Sequence, residues 1–276
     1  MSIKFSELKD SLGSVFAFIV LPLAALTGYL IFYKVLGNPT NFEASNPDNQ
    51  PLEGNYLGTI YKGGPIVILL IGYQITLLAY TIERFITLLL AKGRSNNRKF
   101  ILNIKELFKK EDFDAISKAC DQQKGSLANV VKNGLNAYGS TLDRKDISDE
   151  KKSDLVEKEI EEAAHLEIPI LNNNMIVIST LASISTLTGL LGTVTGMIVA
   201  FASLARVGAP DAVGLASGIS QALVTTALGI STAAIAIVVY NYFTNQIDNV
   251  TYAIDEAKFS IVQNFKQNLR QSENAA

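Results

Sequence analysis

Residues Ile168–Ala205 read IPILNNNMIVISTLASISTLTGLLGTVTGMIVAFASLA, with no Asp, Glu, Lys or Arg anywhere in the run. A helix needs about 20 predominantly apolar residues to cross a bilayer's hydrocarbon core. This run is far longer. Working outward, three more stretches lack formal charge: Ser11–Tyr33, Gly63–Ile82 and Ala212–Ile247. The chain of 276 residues is 48% hydrophobic and only 18% charged, with a mean hydropathy of +0.24. A soluble domain carries about 25% charged residues, so the deficit sits in these four stretches. The pattern predicts an all-α, polytopic membrane protein with four transmembrane helices. Two of them are long enough to extend into a cytoplasmic helical stalk, since about 35 residues at 1.5 Å each make a helix of ~50 Å.

The same arithmetic removes whole classes of function. A net charge of −2 leaves no global basic field for nucleic acid. The single cysteine, Cys120, has no internal disulfide partner, and the single histidine, His165, supplies neither a metal cage nor a histidine-based triad. No nucleophile–base pair, metal cluster or phosphate loop is recognisable. Gly189–Gly196 lies inside an apolar span with no following Lys, so it is not a nucleotide loop. The expectation is a protein that is not an enzyme and has no metal and no cofactor. Cys120 reads as a packed thiol and His165 as a solvated stalk residue.

Lys and Arg collect on the cytoplasmic side of membrane helices. Lys92, Arg94, Arg98, Lys99, Lys105, Lys109 and Lys110 follow the second stretch, whereas Asn38–Ile60 has neither residue type. The expected layout is a cytoplasmic N-terminus (1–11), a first span (12–36), an external loop (37–63) and a second span (64–91). A cytoplasmic helical domain (92–170) and a third span (171–206) follow. An external turn (207–212), a fourth span (213–245) and a cytoplasmic C-terminal helix (246–276) complete it. Lys4 and Lys9, and Lys258, Lys266 and Arg270, place both termini inside. The first stretch reads as a span and not a signal peptide: it is too long and no A-x-A site follows it.

Within the external loop, Asn38–Tyr56, rich in Asn, Pro and Asp, reads as turn and coil. Segment 92–170 holds more than half of the charged residues, with apolar residues at helical spacing. Ile101, Ile104, Leu107 and Phe108 form one face, Phe113, Ile116 and Cys120 another, and Leu127, Val130, Val131, Leu135 and Tyr138 a third. Breaks are expected at Gly125 and Ser140–Asp149. Leu155–Leu166 is expected to run on towards the third span, interrupted only by Pro169.

The two long spans do not read as plain lipid-facing helices. Gly189, Gly192 and Gly196 on one, and Gly218 and Gly229 on the other, would let backbones approach closely where lipid supplies no hydrophobic drive. Gly218, Ala222, Thr226, Gly229 and Ala233 form a helical stripe; Ser179, Thr186 and Thr193 form a heptad stripe. Polar stripes at bilayer depth face protein or a water-filled cavity, although such hydroxyls also bond back to their own i−4 carbonyls. A homo-oligomer whose stripes line an axis accounts for both stripes together. Glu83 and Arg84 read as an interfacial pair, one that either meets a neighbouring subunit or snorkels at the membrane boundary.

At Leu187–Phe201 the string LTGLLGTVTGMIVAF resembles the signature of the MotA/TolQ/ExbB proton-channel family. The likeness continues through Gly218–Gly229 (GISQALVTTALG) and Val239–Gln246 (VYNYFTNQ), and Glu83-Arg84-Phe85 resembles the close of the family's earlier helix. The ExbB branch is the most similar. The resemblance implies a bacterial inner-membrane motor subunit. Five copies would surround a dimer of a single-span, ExbD-like partner whose membrane Asp carries protons, and a TonB-like protein would receive the work. It also implies that Thr193 and Thr226 are pore-facing; Thr186, Thr225 and Gln221, polar residues of the same two spans, are read as further pore-lining candidates on the proton pathway. Lipids are further partners, and nucleic acid is not. A TolQ-like subunit, a MotA-like or gliding stator and a passive membrane scaffold are the alternatives. Gln221 stands where most ExbB and TolQ members have Glu. Gln and hydroxyl groups do not titrate near neutral pH, so the titrating carboxyl is expected in trans.

Overall fold

A computed structural model describes residues 3–110, 112–142, 147–205 and 211–275. The described residues are helical apart from turns and one isolated bridge, Phe42 to Pro51. The helices are α1 (Ile3–Leu30), α2 (Tyr56–Tyr61), α3 (Ile66–Lys92), α4 (Asn97–Lys109), α5 (Phe113–Gln123), α6 (Gly125–Leu142), α7 (Asp149–Asn172), α8 (Met175–Leu204) and α9 (Ala212–Ala275). Four helices are long and apolar enough to cross a membrane, as the charge-free stretches predict. Of the expected external turn (207–212), residues 207–210 lie outside the described residues. Asp211, just after them, caps α9: its carboxylate accepts from the Gly214 N–H at 2.9 Å.

The chain divides into two units. The first comprises residues up to Ile82 together with Asn174–Asn241. Here α1 runs into a π turn, Ile31–Leu36, whose open carbonyls are met by one side chain. The Asn41 amide donates to Val35 O at 2.9 Å and Leu36 O at 3.0 Å, and Asn55 donates to the Asn41 carbonyl at 3.1 Å. Lys62 reaches back to Pro47 O and Asp48 O at 3.0 and 3.1 Å. Phe32, Leu36 and Val67 form a small core beneath, with Tyr61 stacked on Phe32 at 4.6 Å. The loop expected to be turn and coil is therefore tied down, and α2 begins at its last residue, Tyr56. Asn41 caps carbonyls that no helix partner can reach, while Asn38, Asn46 and Asn55 accept from backbone N–H groups of the loop.

The second unit comprises Glu83–Asn173 and the chain from Tyr242 onward. All three predicted apolar faces turn inward. Ile101, Ile104 and Phe108 are buried on α4, Ile116 and Cys120 on α5, and Leu127, Val130, Val131, Leu135 and Tyr138 on α6. They meet Val156 and Ile160 of α7 and Ile254, Ile261 and Phe265 of α9, with the Phe265 ring edge-on to Tyr138 at 4.5 Å. Lys124 and Gly125 take positive φ, 56° and 79°, and turn α5 into α6 at the expected break. Lys105 pairs with Glu256 at 3.0 Å and Lys258 with Glu161 at 2.9 Å, fixing the register of α9 against α4 and α7.

One expected break moves. Pro169 lies inside α7, and the helix continues to Asn172. The interruption falls at Asn173–Asn174, where Asn174 adopts a left-handed conformation (φ 61°). Proline removes one N–H from the helical ladder, yet α7 continues past it for three residues. Asn accepts the left-handed region more readily than other side chains, and so it sets the corner.

Candidate functional site

The glycines fix how α8 and α9 meet. A Cβ built on Gly189 would lie 3.2 Å from Gly229 Cα, and one on Gly229 would lie 2.6 Å from Ser185 O. Further along, a Cβ on Gly196 would sit 2.6 Å from Gly218 O, and one on Gly218 would sit 2.6 Å from Gly196 O. Position numbers rise on one helix as they fall on the other, so the pair is antiparallel and in backbone contact at both ends. Gly192 lies between these contacts and faces the Thr225 side chain. At each of the five glycines an added Cβ would meet the facing helix. Deleting a side chain at each costs helix propensity, about 1 kcal/mol in water, and the gain is contact between whole backbones.

This register places hydroxyls opposite one another. Thr193 and Thr226 share a hydrogen bond, and both hydroxyls also point at Gly189 O, from 3.3 and 3.5 Å. One turn away, the Gln221 amide donates to the Thr195 hydroxyl at 3.3 Å, and Thr195 donates to Gly192 O at 3.0 Å. Thr193, Thr226 and Gln221 are half-buried. The other two residues placed on the pathway differ. Thr225 is fully buried against Gly192 and bonds back to Gln221 O at 2.8 Å. Thr186 is half-buried and bonds back to Ala182 O at 3.4 Å. Back-bonding and cross-helix bonding therefore coexist, each at separate positions.

Sequence reasoning missed a third contributor. Gln74 of α3 donates to the Thr232 hydroxyl of α9 at 3.1 Å. The signal was available, because Gln74 is the only amide side chain in the charge-free stretch Gly63–Ile82. Ser185 was noted as one hydroxyl among many, yet it is fully buried on α8, and its hydroxyl has no hydrogen-bond partner among the described residues.

Glu83 and Arg84 behave differently from expectation. Arg84 neither snorkels nor points outward: its side chain is 3% exposed. Its guanidinium forks onto Glu83 at 2.5 and 2.6 Å and donates to Asn173 O at 2.5 Å, with Leu171 O at 3.4 Å beyond. These are the terminal carbonyls of α7, which no helical N–H can satisfy. Arg84 is the cap of that helix end, and its positive charge faces the negative end of the helix dipole.

Among the described residues no group of three His, Cys, Asp or Glu side chains could hold a metal. Outside the spans, burial pushes the Cys120 thiol up to about 12. The hydrogen bond from Lys258 holds Glu161 below the usual carboxylate range. His165 is exposed on α7. What the α8–α9 pair offers is a band of hydroxyl and amide groups that orient or accept hydrogen bonds without taking up charge.

Residues 122–256, which include α8 and the hydroxyl-bearing part of α9, match the MotA/TolQ/ExbB proton channel family. Over this stretch, just under half of its length, the chain is similar to that family. It is 27% identical over 183 residues to the biopolymer transport protein ExbB-like 3 of Synechocystis, covering 66% of this chain and 81% of the relative. It is 33% identical over 86 residues to the biopolymer transport protein ExbB of Pseudomonas putida, covering 31% and 26% of the two chains. Against the Tol-Pal system protein TolQ of Haemophilus influenzae it is 34% identical over 88 residues, 32% and 39% of the two. The chain spans well under half of these last two relatives' lengths. These likenesses support a multi-pass membrane protein of the proton-channel, stator-like kind, similar to ExbB.

Proposed function

We propose that this chain is the ExbB-like subunit of a motor in the bacterial inner membrane, working with an ExbD-like single-span partner. The motor draws on proton motive force and energises TonB-dependent transport at the outer membrane. Several copies of the chain, five by likeness to the family, surround the partner dimer, and both termini lie in the cytoplasm. The observation that carries this reading is the shared hydrogen bond of Thr193 and Thr226, half-buried, in a helix pair with no carboxylate between Met175 and Leu204 or between Ala212 and Asn241. Such a band can guide a proton carrier but cannot be one, so the carboxyl belongs to the partner. Gln221 then acts as a neutral hydrogen-bonding group where related chains place a Glu.

The test joins composition to activity. The complex is extracted gently from native membranes and weighed by native mass spectrometry. Five copies with a single-span, Asp-bearing protein and a TonB-like protein are expected. Thr193→Val and Thr226→Val, close to isosteric, should assemble normally and abolish uptake. A peptidoglycan-binding partner would move the chain to a stator role, and a TolQ-type envelope partner to that branch. Full activity in both Val variants would overturn the pathway and leave a passive scaffold.

A further inference from the structure

Where α3 ends, the second unit carries a crevice that the hydroxyl band does not use. Lys92, Asn96, Arg98, Gln246, Asn249 and Tyr252 line an open basin of about 590 Å³, within the range of small-molecule sites, about 300–1,000 Å³. Glu256 at its rim is already paired with Lys105 at 3.0 Å. Among the described residues no ion pair engages Lys92 or Arg98, so the basin keeps two uncompensated positive charges. A narrower slot adjoins it, walled by Phe85, Leu88, Leu89, Tyr242 and Phe243, and sharing Lys92, Gln246 and Val250 with the basin. Phe85, Leu89 and Tyr242 are each about half exposed, at 48%, 54% and 51%.

The order of these residues along the chain is as informative as their types. From Phe85 to Ala91 the helix carries no charge, and Lys92 is the first cation after that run. Apolar wall, then cation, then amides is the sequence of environments met on passing from acyl chains through phosphates to water. We propose that this crevice binds one anionic phospholipid. Its phosphate lies against Lys92 and Arg98, its headgroup hydroxyls reach Asn96, Gln246 and Asn249, and one acyl chain follows the slot between Phe85 and Tyr242. A free phosphate would leave the half-exposed aromatic wall unused. A zwitterionic lipid would bring a cation into a basin that already holds two. The proposal does not depend on which partner the channel works with.

The full chain, stripped of lipid in dodecyl maltoside, is titrated with fluorescent-acyl phosphatidylglycerol and, separately, phosphatidylcholine. Phosphatidylglycerol should bind more tightly. The double variant Lys92→Gln, Arg98→Gln should weaken it about 25-fold, at about fivefold per cation, and leave phosphatidylcholine unchanged. The charge-matched control Arg94→Gln, Lys99→Gln removes two cations outside the lining and should leave binding within about twofold. Equal affinity of the wild-type chain for the two lipids overturns the proposal and needs no variant that folds. Equal losses in the two double variants also overturn it, because only a diffuse field would remain. Displacement of the lipid by about 1 mM inorganic phosphate would make the basin a site for soluble anions. A lining variant that changes oligomer size without changing lipid binding would assign the crevice to a second copy of the chain.

Discussion

Adding one methyl group to a helix should have opposite effects at two positions of this protein. At Gly218 a Cβ would sit 2.5 Å from Ala200 N and 2.6 Å from Gly196 O, and ordinary contact begins near 3.4 Å, so α8 and α9 must part locally by about 0.9 Å. Neither neighbour is a flexible side chain; both are backbone. Overpacking of this kind costs about 1–3 kcal/mol, or a fall in melting temperature of roughly 2–10 °C for a chain of this size. At Gly139, inside α6, nothing lies within 4 Å of the same added Cβ. Gly139→Ala therefore gains only the helix preference of Ala, about 0.5–1 kcal/mol. The fraction of protein still monodisperse after heating, read by fluorescence-detected size exclusion, measures both. Gly196→Ala should cost about as much as Gly218→Ala, and the double variant should cost less than their sum, because one separation relieves both clashes. Strict additivity, or a Gly218→Ala variant as stable as wild type, would refute the backbone contact on which the hydroxyl register depends.

Arg84→Met should uncap α7: the loss of a buried cation from the Asn173, Leu171 and Ile170 carbonyls costs about 3 kcal/mol, and hydrogen exchange should quicken over residues 168–173. Unchanged exchange there would mean the carbonyls are satisfied otherwise. Cys120, with its thiol pushed up to about 12 from an ordinary 9.0, should alkylate about 10³-fold more slowly in the folded chain than in the unfolded one at pH 8. The sign for stability follows. The unfolded thiol ionises from about pH 9 while the folded one does not, so folding weakens as pH rises between those values; Cys120→Ala should remove that part of the alkaline decline.

The membrane class was legible because it rests on composition alone: four long runs without formal charge exceed what a water-soluble fold of this size can bury. The inward faces of α4, α5 and α6 were legible for a similar reason, since helical spacing needs no knowledge of the partner. What stayed hidden depends on contacts distant in sequence. Arg84 reads as an interfacial residue until the end of α7 is brought to it, some 86 to 89 positions later. Pro169 reads as the break because proline's local cost is well known, but the corner goes to Asn174, whose left-handed backbone carries no such mark. Thr193 and Thr226 could each be placed on a stripe. Their mutual contact, and the deep burial of Thr225 beside them, follow from a glycine register that sequence alone does not number. Gln74 is conspicuous as a lone amide in an apolar run, but its partner Thr232 lies 158 positions away.

The Thr193–Thr226 pair can be counted in hydrogens. Two hydroxyls bring two hydrogens, and within this cluster the acceptors they reach are each other and Gly189 O. Thr193 gives to Thr226 and Thr226 to the carbonyl, or the direction reverses; either ordering uses both hydrogens. Lone pairs are left over, and no hydrogen is. A group arriving with a hydrogen to give meets an acceptor ready for it, whereas a bare carboxylate finds nothing to receive and must break a bond already made. On the proposed pathway the pair would thus read protonation state, favouring the neutral form of the partner's acid without changing its own charge.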